Sequence, residues 1–206
     1  MGRIYDWIVR VSTKDFKLSP IIAHGVMIVV LVFVLSSQAR LSYGTALNDI
    51  PIMNDAWWNA LTAIKQDSRP DAIINSWWDF GHHFKYVADR RVTFDGASQN
   101  TPMAHWIGRV LTTSDEKEAV GILRMLDCGS NNAFKVLDKQ LNDPVKTVKL
   151  LYRIIVVDRK AALAILADAG VNEQEEVLKN THCDPPENYF ISSDDMIGKS
   201  GVWSHF

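Results

Sequence analysis

The chain has 206 residues, enough for one domain of ordinary size with appendages, and 47% of them are hydrophobic. Its 22 basic and 24 acidic residues leave a net charge of −2. That is too small a field of either sign to make nucleic acid the main partner. Its 2 cysteines lack metal-ligand spacing.

Residues 1–17 form an arm carrying Arg3, Arg10, Lys14 and Lys17. Residues 18–39 then hold no Asp, Glu, Lys or Arg. About 20 such residues cross a hydrocarbon core of about 30 Å, so a transmembrane helix is expected there. The apolar run is longer and further from the start than a signal peptide requires. A buried core helix is the alternative, although such helices seldom run this long without a charge. Only Arg40 follows among the next twenty residues. The positive-inside rule therefore puts 1–17 in the cytoplasm and 40–206 outside, in a cell-membrane protein with one span in this chain. Cys128 and Cys183 both fall in that outer part, where a disulfide closing a loop of about 55 residues would contribute about 4 kcal/mol. Two buried thiols fit the sequence equally well, because sequence carries no geometry.

In the outer part, Asn54 or Asp55 caps a helix over Ala56–Lys65. Trp57, Leu61 and Ile64 share one of its faces, and the Trp57–Trp58 pair reads as core. After the Arg69–Pro70 break, 72–75 is a short apolar strand of the kind buried on both faces. Trp77-Trp78-Asp79-Phe80-Gly81 sits at its exit. A turn or helix over His82–Ala88 and a second strand at Arg91–Phe94 follow. The remainder is mostly helical, with helices predicted at Met103–Leu111, from Glu116 to Leu126, at Ala133–Leu141, Val145–Val156, Arg159–Ala169 and Glu173–Lys179. Asn188–Ile191 reads as a third strand, and Ser192–Asp195 caps a last helix over Met196–Phe206. The fold class is a helix-rich α/β domain with a few short strands, preceded by one transmembrane helix.

The residues at the strand exit carry the chemistry. Each indole has one N–H donor, whereas the Asp79 carboxylate only accepts. Together they complement a hydroxyl, which gives one proton and fills two lone pairs. The plain alternative makes Trp77 and Trp78 core residues and Asp79 a cap. His82-His83 points two ways along the chain and has no third ligand nearby, so it makes a poor metal site.

The five residues resemble the WWDYG motif of the catalytic subunit of oligosaccharyltransferases, with Phe80 in place of Tyr. The resemblance covers a last membrane helix, the exit segment, the motif and a helical core. It implies a glycosyltransferase of protein N-glycosylation, prokaryotic and of archaeal type, that moves a lipid-linked oligosaccharide onto Asn of Asn-X-Ser/Thr. Trp77, Trp78 and Asp79 would hold the Ser/Thr hydroxyl of the acceptor, and Phe80 and Gly81 would shape the turn. The family's second acceptor-side element resembles the stretch from Asp195 to Lys199, although the Asp-to-Lys spacing here is four rather than three. The family also implies a divalent metal, Mg or Mn, whose ligands and catalytic acids belong to a longer membrane region. The chain is therefore expected to be a C-terminal part or truncated product with no catalytic or metal-binding residues of its own. A membrane-tethered module that binds carbohydrate or peptide without chemistry is the alternative function.

Overall fold

The structure, a computed structural model, describes residues 2–17, 19–49, 51–99 and 102–205. The chain divides into two compact units, Met1–Ile52 and Met53–Phe206.

In the first unit α1 spans Gly2–Lys14 and α2 spans Pro20–Asn48. Ser19 caps α2 by accepting the Ile22 N–H, and Pro20 takes the first turn, where its missing N–H costs nothing. Ala23 is its one buried residue, while Ile21, Val29 and Phe33 are exposed. Among the described residues α2 is the one helix long and apolar enough to cross a membrane.

The second unit begins with α3, Asp55–Asp67, capped by the Asn54 side chain. Leu61 is fully buried, with Trp57 and Ile64 packed beside it. Trp58, expected in the core, is 58% exposed. One residue along a helix turns about 100°, which carries Trp58 off the face that Trp57 and Leu61 share. The C-terminal carbonyls of α3 are closed by Arg90, a residue the sequence did not single out. Its guanidinium donates to the carbonyls of Lys65 and Ser68 and to Ser68 Oγ. A cation at that end also suits the helix dipole.

A small parallel sheet follows, with β1 (Ile73–Asn75) between β2 (Arg91–Val92) and β3 (Asn188–Phe190). Every residue of β1 is buried, as its apolar run predicts. Between β1 and β2 lie a 3₁₀ turn, Trp78–Phe80, a short helix α4, Gly81–His83, and a π turn, Phe84–Ala88.

Six helices build the rest: α5 (Met103–Thr112), α6 (Glu116–Gly129), α7 (Asn132–Leu141), α8 (Pro144–Ile155), α9 (Arg159–Asp168) and α10 (Gln174–Lys179). Asp115, Asp143 and Asp158 each accept backbone N–H bonds at a helix start. Cys128 and Cys183 form a disulfide that ties the end of α6 to the loop before β3.

The last predicted helix is corrected. Asp194–Met196 is a 3₁₀ turn, Ile197 is extended, Gly198 is left-handed at φ +86°, and only Ser200–Trp203 (α11) is helical. A left-handed residue cannot propagate a right-handed helix, so Gly198 breaks the run at this point. The predicted end of that helix, Phe206, lies outside the described residues.

Candidate functional site

The five-residue motif straddles two hydrophobic clusters. Trp77, 2% exposed, enters the large helical core and meets Phe94 edge-on at 5.2 Å between ring centroids. Phe80, 7% exposed, enters the smaller cluster built on α3, with its ring 4.7 Å from that of Trp57. The two rings pin the backbone on either side, and Trp78 and Asp79 between them stay at the surface. Trp78 is half-buried against the helical core, and the Asp79 side chain is 31% exposed.

Gly81 is held by packing rather than by an unusual backbone angle, since its φ of −54° suits any residue. A Cβ there would lie 2.6 Å from the Phe94 carbonyl oxygen and 2.6 Å from Asp95 Cβ. The motif therefore rests directly on the strand-exit loop after β2. That loop is ordered by Asp95, whose Oδ1 accepts from the Ala97 and Ser98 N–H groups and from Ser98 Oγ. Its Oδ2 takes the Lys85 ammonium and lies 3.9 Å from His82 Nδ1. Burial alone would raise the Asp95 carboxyl; the Lys85 and Ser98 donors outweigh it and hold the group below the usual carboxylate range. The sequence placed Asp95 only as the close of a strand. Its spacing to Ser98, typical of a side chain that bonds the backbone just ahead, was the available signal.

The second predicted element reaches the same place. Lys199 Nζ lies 3.1 Å from Asp79 Oδ2 and 2.7 Å from Asp195 Oδ2. Asp195 also accepts from Ser193 Oγ. Burial would lower the Lys199 ammonium, but the Asp195 and Asp79 carboxylates raise it above its usual value. Burial would likewise raise Asp195, and Lys199 and Ser193 reverse this and lower it. Asp79, Asp195 and Lys199 are thus one charged cluster, although Asp79 and Lys199 are 120 residues apart. A pocket of about 480 Å³ opens beside the cluster, lined in part by Ser193, Met196, Ile197 and Trp203. Trp203 stands 6.2 Å from Trp77, ring to ring, and was not singled out by the sequence. Its indole Nε1 is buried and finds no acceptor among the described residues.

His82 and His83 diverge: His82 faces Asp95, and the His83 ring lies 6.0 Å from Phe80. Among the described residues no three His, Cys, Asp or Glu side chains gather as metal ligands would. The divalent metal that the resemblance implies finds no fitting donor set among the described residues.

Beneath the motif, Asn75 at the end of β1 donates its amide to both Asp127 oxygens, at 3.0 and 3.2 Å, and accepts from Thr93 Oγ1. Burial pushes the Asp127 carboxyl up to about 6.

The fold and site define a helix-rich domain that presents a tryptophan and a three-membered charge cluster at the exit of a parallel strand. Residues 70–183 match the family described as the STT3/PglB/AglB core domain, and the chain belongs to that family. It is similar to the dolichyl-phosphooligosaccharide-protein glycotransferase of Methanocaldococcus jannaschii, with 40% identity over 164 residues, 76% of this chain and 18% of that protein. The protein of the same description from Methanococcus voltae is 35% identical over 165 residues, again 76% of this chain and 18% of the relative. This chain thus spans about a fifth of the length of the curated relatives it matches. A crystal structure of the C. jejuni PglB C-terminal domain is 18% identical, with a TM-score of 0.40, over 71% of this chain and 49% of that one.

Proposed function

We propose that this chain is part of an oligosaccharyltransferase catalytic subunit and supplies the surface that holds the acceptor, the Asn-X-Ser/Thr segment of a protein being glycosylated. The lipid-linked oligosaccharide, the metal and the bond-making groups belong to membrane-embedded parts of the enzyme. In the same reading α2 spans the membrane, residues 1–17 are cytoplasmic and the domain after about residue 40 is extracytoplasmic.

The observation that carries this proposal is the meeting of Asp79, Asp195 and Lys199 beside the half-exposed Trp78. Asp79 spends one oxygen on Lys199 and keeps lone pairs to accept an acceptor O–H. Lys199 has three N–H donors, of which two reach carboxylates. The third can donate to the hydroxyl oxygen, and the indole of Trp78, next to Asp79 in the chain, offers a further N–H donor. Trp77, Phe80 and Gly81 hold these groups in place from the two cores.

The test places Asp79→Ala in the full-length protein and measures kcat/KM for acceptor peptides with Thr, Ser or Val at the third position. Losing a charged hydrogen bond costs about 1.5–3 kcal/mol, so the Thr and Ser peptides should lose roughly 10- to 150-fold. The weak use of the Val peptide should be unchanged. Equal kinetics for the parent and variant on the Thr peptide would remove Asp79 from the acceptor site.

A further inference from the structure

The first unit carries a surface that acceptor recognition does not use. Helix α1 turns Ile8, Val9, Ser12 and Thr13 partly inward, and its Tyr5 ring lies 5.7 Å from that of His24 on α2. That side is taken up by packing against the start of α2. At 100° per residue, Arg3, Arg10 and Lys14 fall within an arc of about 40°, and Trp7 borders it. All three cations are exposed, and Trp7 is 64% exposed. Lys17 and Phe16, in the turn between α1 and α2, are exposed as well. Four cations stand against the two carboxylates Asp6 and Asp15 in residues 2–17.

An exposed indole flanked by cations is costly in open water and well suited to a headgroup layer. There the ring takes the boundary and long basic side chains reach phosphate. The apolar stretch of α2 begins at Pro20, three residues past Lys17, so the patch sits where that helix would enter a bilayer.

We propose that α1 is an interfacial helix that binds anionic phospholipid headgroups at the membrane face from which α2 enters. Trp7 lies at the headgroup boundary, and Arg3, Arg10, Lys14 and Lys17 pair with lipid phosphates. The proposal rests on the reading of α2 as a membrane span. It does not depend on which side of the membrane α1 occupies.

The test is hydrogen exchange on the intact chain in nanodiscs of phosphatidylcholine alone and of phosphatidylcholine with one quarter phosphatidylglycerol. Each basic residue near an anionic surface favours binding about fivefold, so α1 amides should gain about tenfold or more in protection with phosphatidylglycerol. The gain should vanish in the Arg3→Gln/Arg10→Gln/Lys14→Gln variant and shrink at high salt, with α2 protected throughout. Equal α1 protection in the two lipids, or a gain that survives the triple substitution, overturns the proposal while leaving α2 as a span. An α2 that exchanges as fast as open chain in both discs removes the membrane reading and the proposal together.

Discussion

Gly81→Ala separates two explanations of the motif glycine by the sign of its effect. The Gly81 backbone is right-handed helical, at φ −54° and ψ −38°. If conformation alone mattered, alanine would stabilise the chain by about 0.5–1 kcal/mol. The neighbours decide otherwise, because the added methyl would stand 2.6 Å from the Phe94 carbonyl oxygen, 2.6 Å from Asp95 Cβ and 2.7 Å from Asp95 Cα. Two of these are backbone atoms, and Phe94 is pinned under Trp77, so the loop cannot swing aside cheaply. Overpacking of this kind costs about 1–3 kcal/mol, and rigid partners put this site at the upper end. The net loss is then about 2 kcal/mol, or about 4–8 °C in Tm for a chain of this size. The assay is thermal unfolding of the purified chain in detergent, followed by near-ultraviolet circular dichroism of its tryptophans. Gly201→Ala, which meets nothing within 4 Å, is the control and should shift Tm by a degree or two at most. A Gly81→Ala midpoint equal to or above that of the parent would refute the packing argument.

Two further outcomes follow from the domain around the motif. Burial lifts Asp127 to about 6 from an ordinary 3.8, so the folded chain holds this proton more tightly than the unfolded chain. The stability it contributes is fully present below about pH 4 and is lost as pH rises through about 6, amounting to about 3 kcal/mol at 1.36 per pKa unit. Asp127→Asn, which can still accept from Asn75, should remove that slope in denaturant titrations between pH 4 and 8; parallel profiles for parent and variant would contradict it. Replacing both Cys128 and Cys183 by serine releases a loop of 55 residues and should cost about 4 kcal/mol. That appears as a lower denaturant midpoint, matched by the parent under reductant, and an unchanged midpoint would show that the cross-link adds nothing.

The helical part of the domain was legible because its boundaries are written in side-chain chemistry. Asp115 caps α6 and Pro144 opens α8 where the sequence indicated helix starts, while the caps Asp143 and Asp158 had gone unread. β1 was legible as a buried apolar run between turns. What the sequence left undecided was decided by contacts distant along the chain. Nothing local distinguishes Trp77 from Trp78, yet one goes into the core against Phe94 and the other stays half-exposed. Trp57 and Trp58 divide in the same way, and treating them as a pair misplaced Trp58. The disulfide stayed open because spacing carries no Cβ geometry. The final helix failed because a run of acceptable helix formers was weighed more heavily than the glycine within it. Gly198 takes a positive φ, and Lys199 stands next to that break.

That break also bears on how the site is divided. A continuous helix from Met196 would have fixed Lys199 by its own hydrogen-bond ladder; instead the lysine follows an extended residue and a left-handed glycine. Beyond the local backbone turn, its side chain is held by ion pairs to Asp79 and Asp195, both partly exposed. Exposed pairs contribute about 0–1 kcal/mol each, far less than the aromatic packing that fixes the backbone on either side of Asp79. The three charges are therefore placed mainly by the packing beneath them and only secondarily by their ion pairs. The segment that carries Lys199 is anchored on both sides of it, by Met196, 6% exposed in the helical core, and by Trp203, whose ring lies 6.2 Å from that of Trp77. In the proposed reading, an acceptor hydroxyl meets charges whose geometry is set by the two aromatic clusters on either side of Asp79.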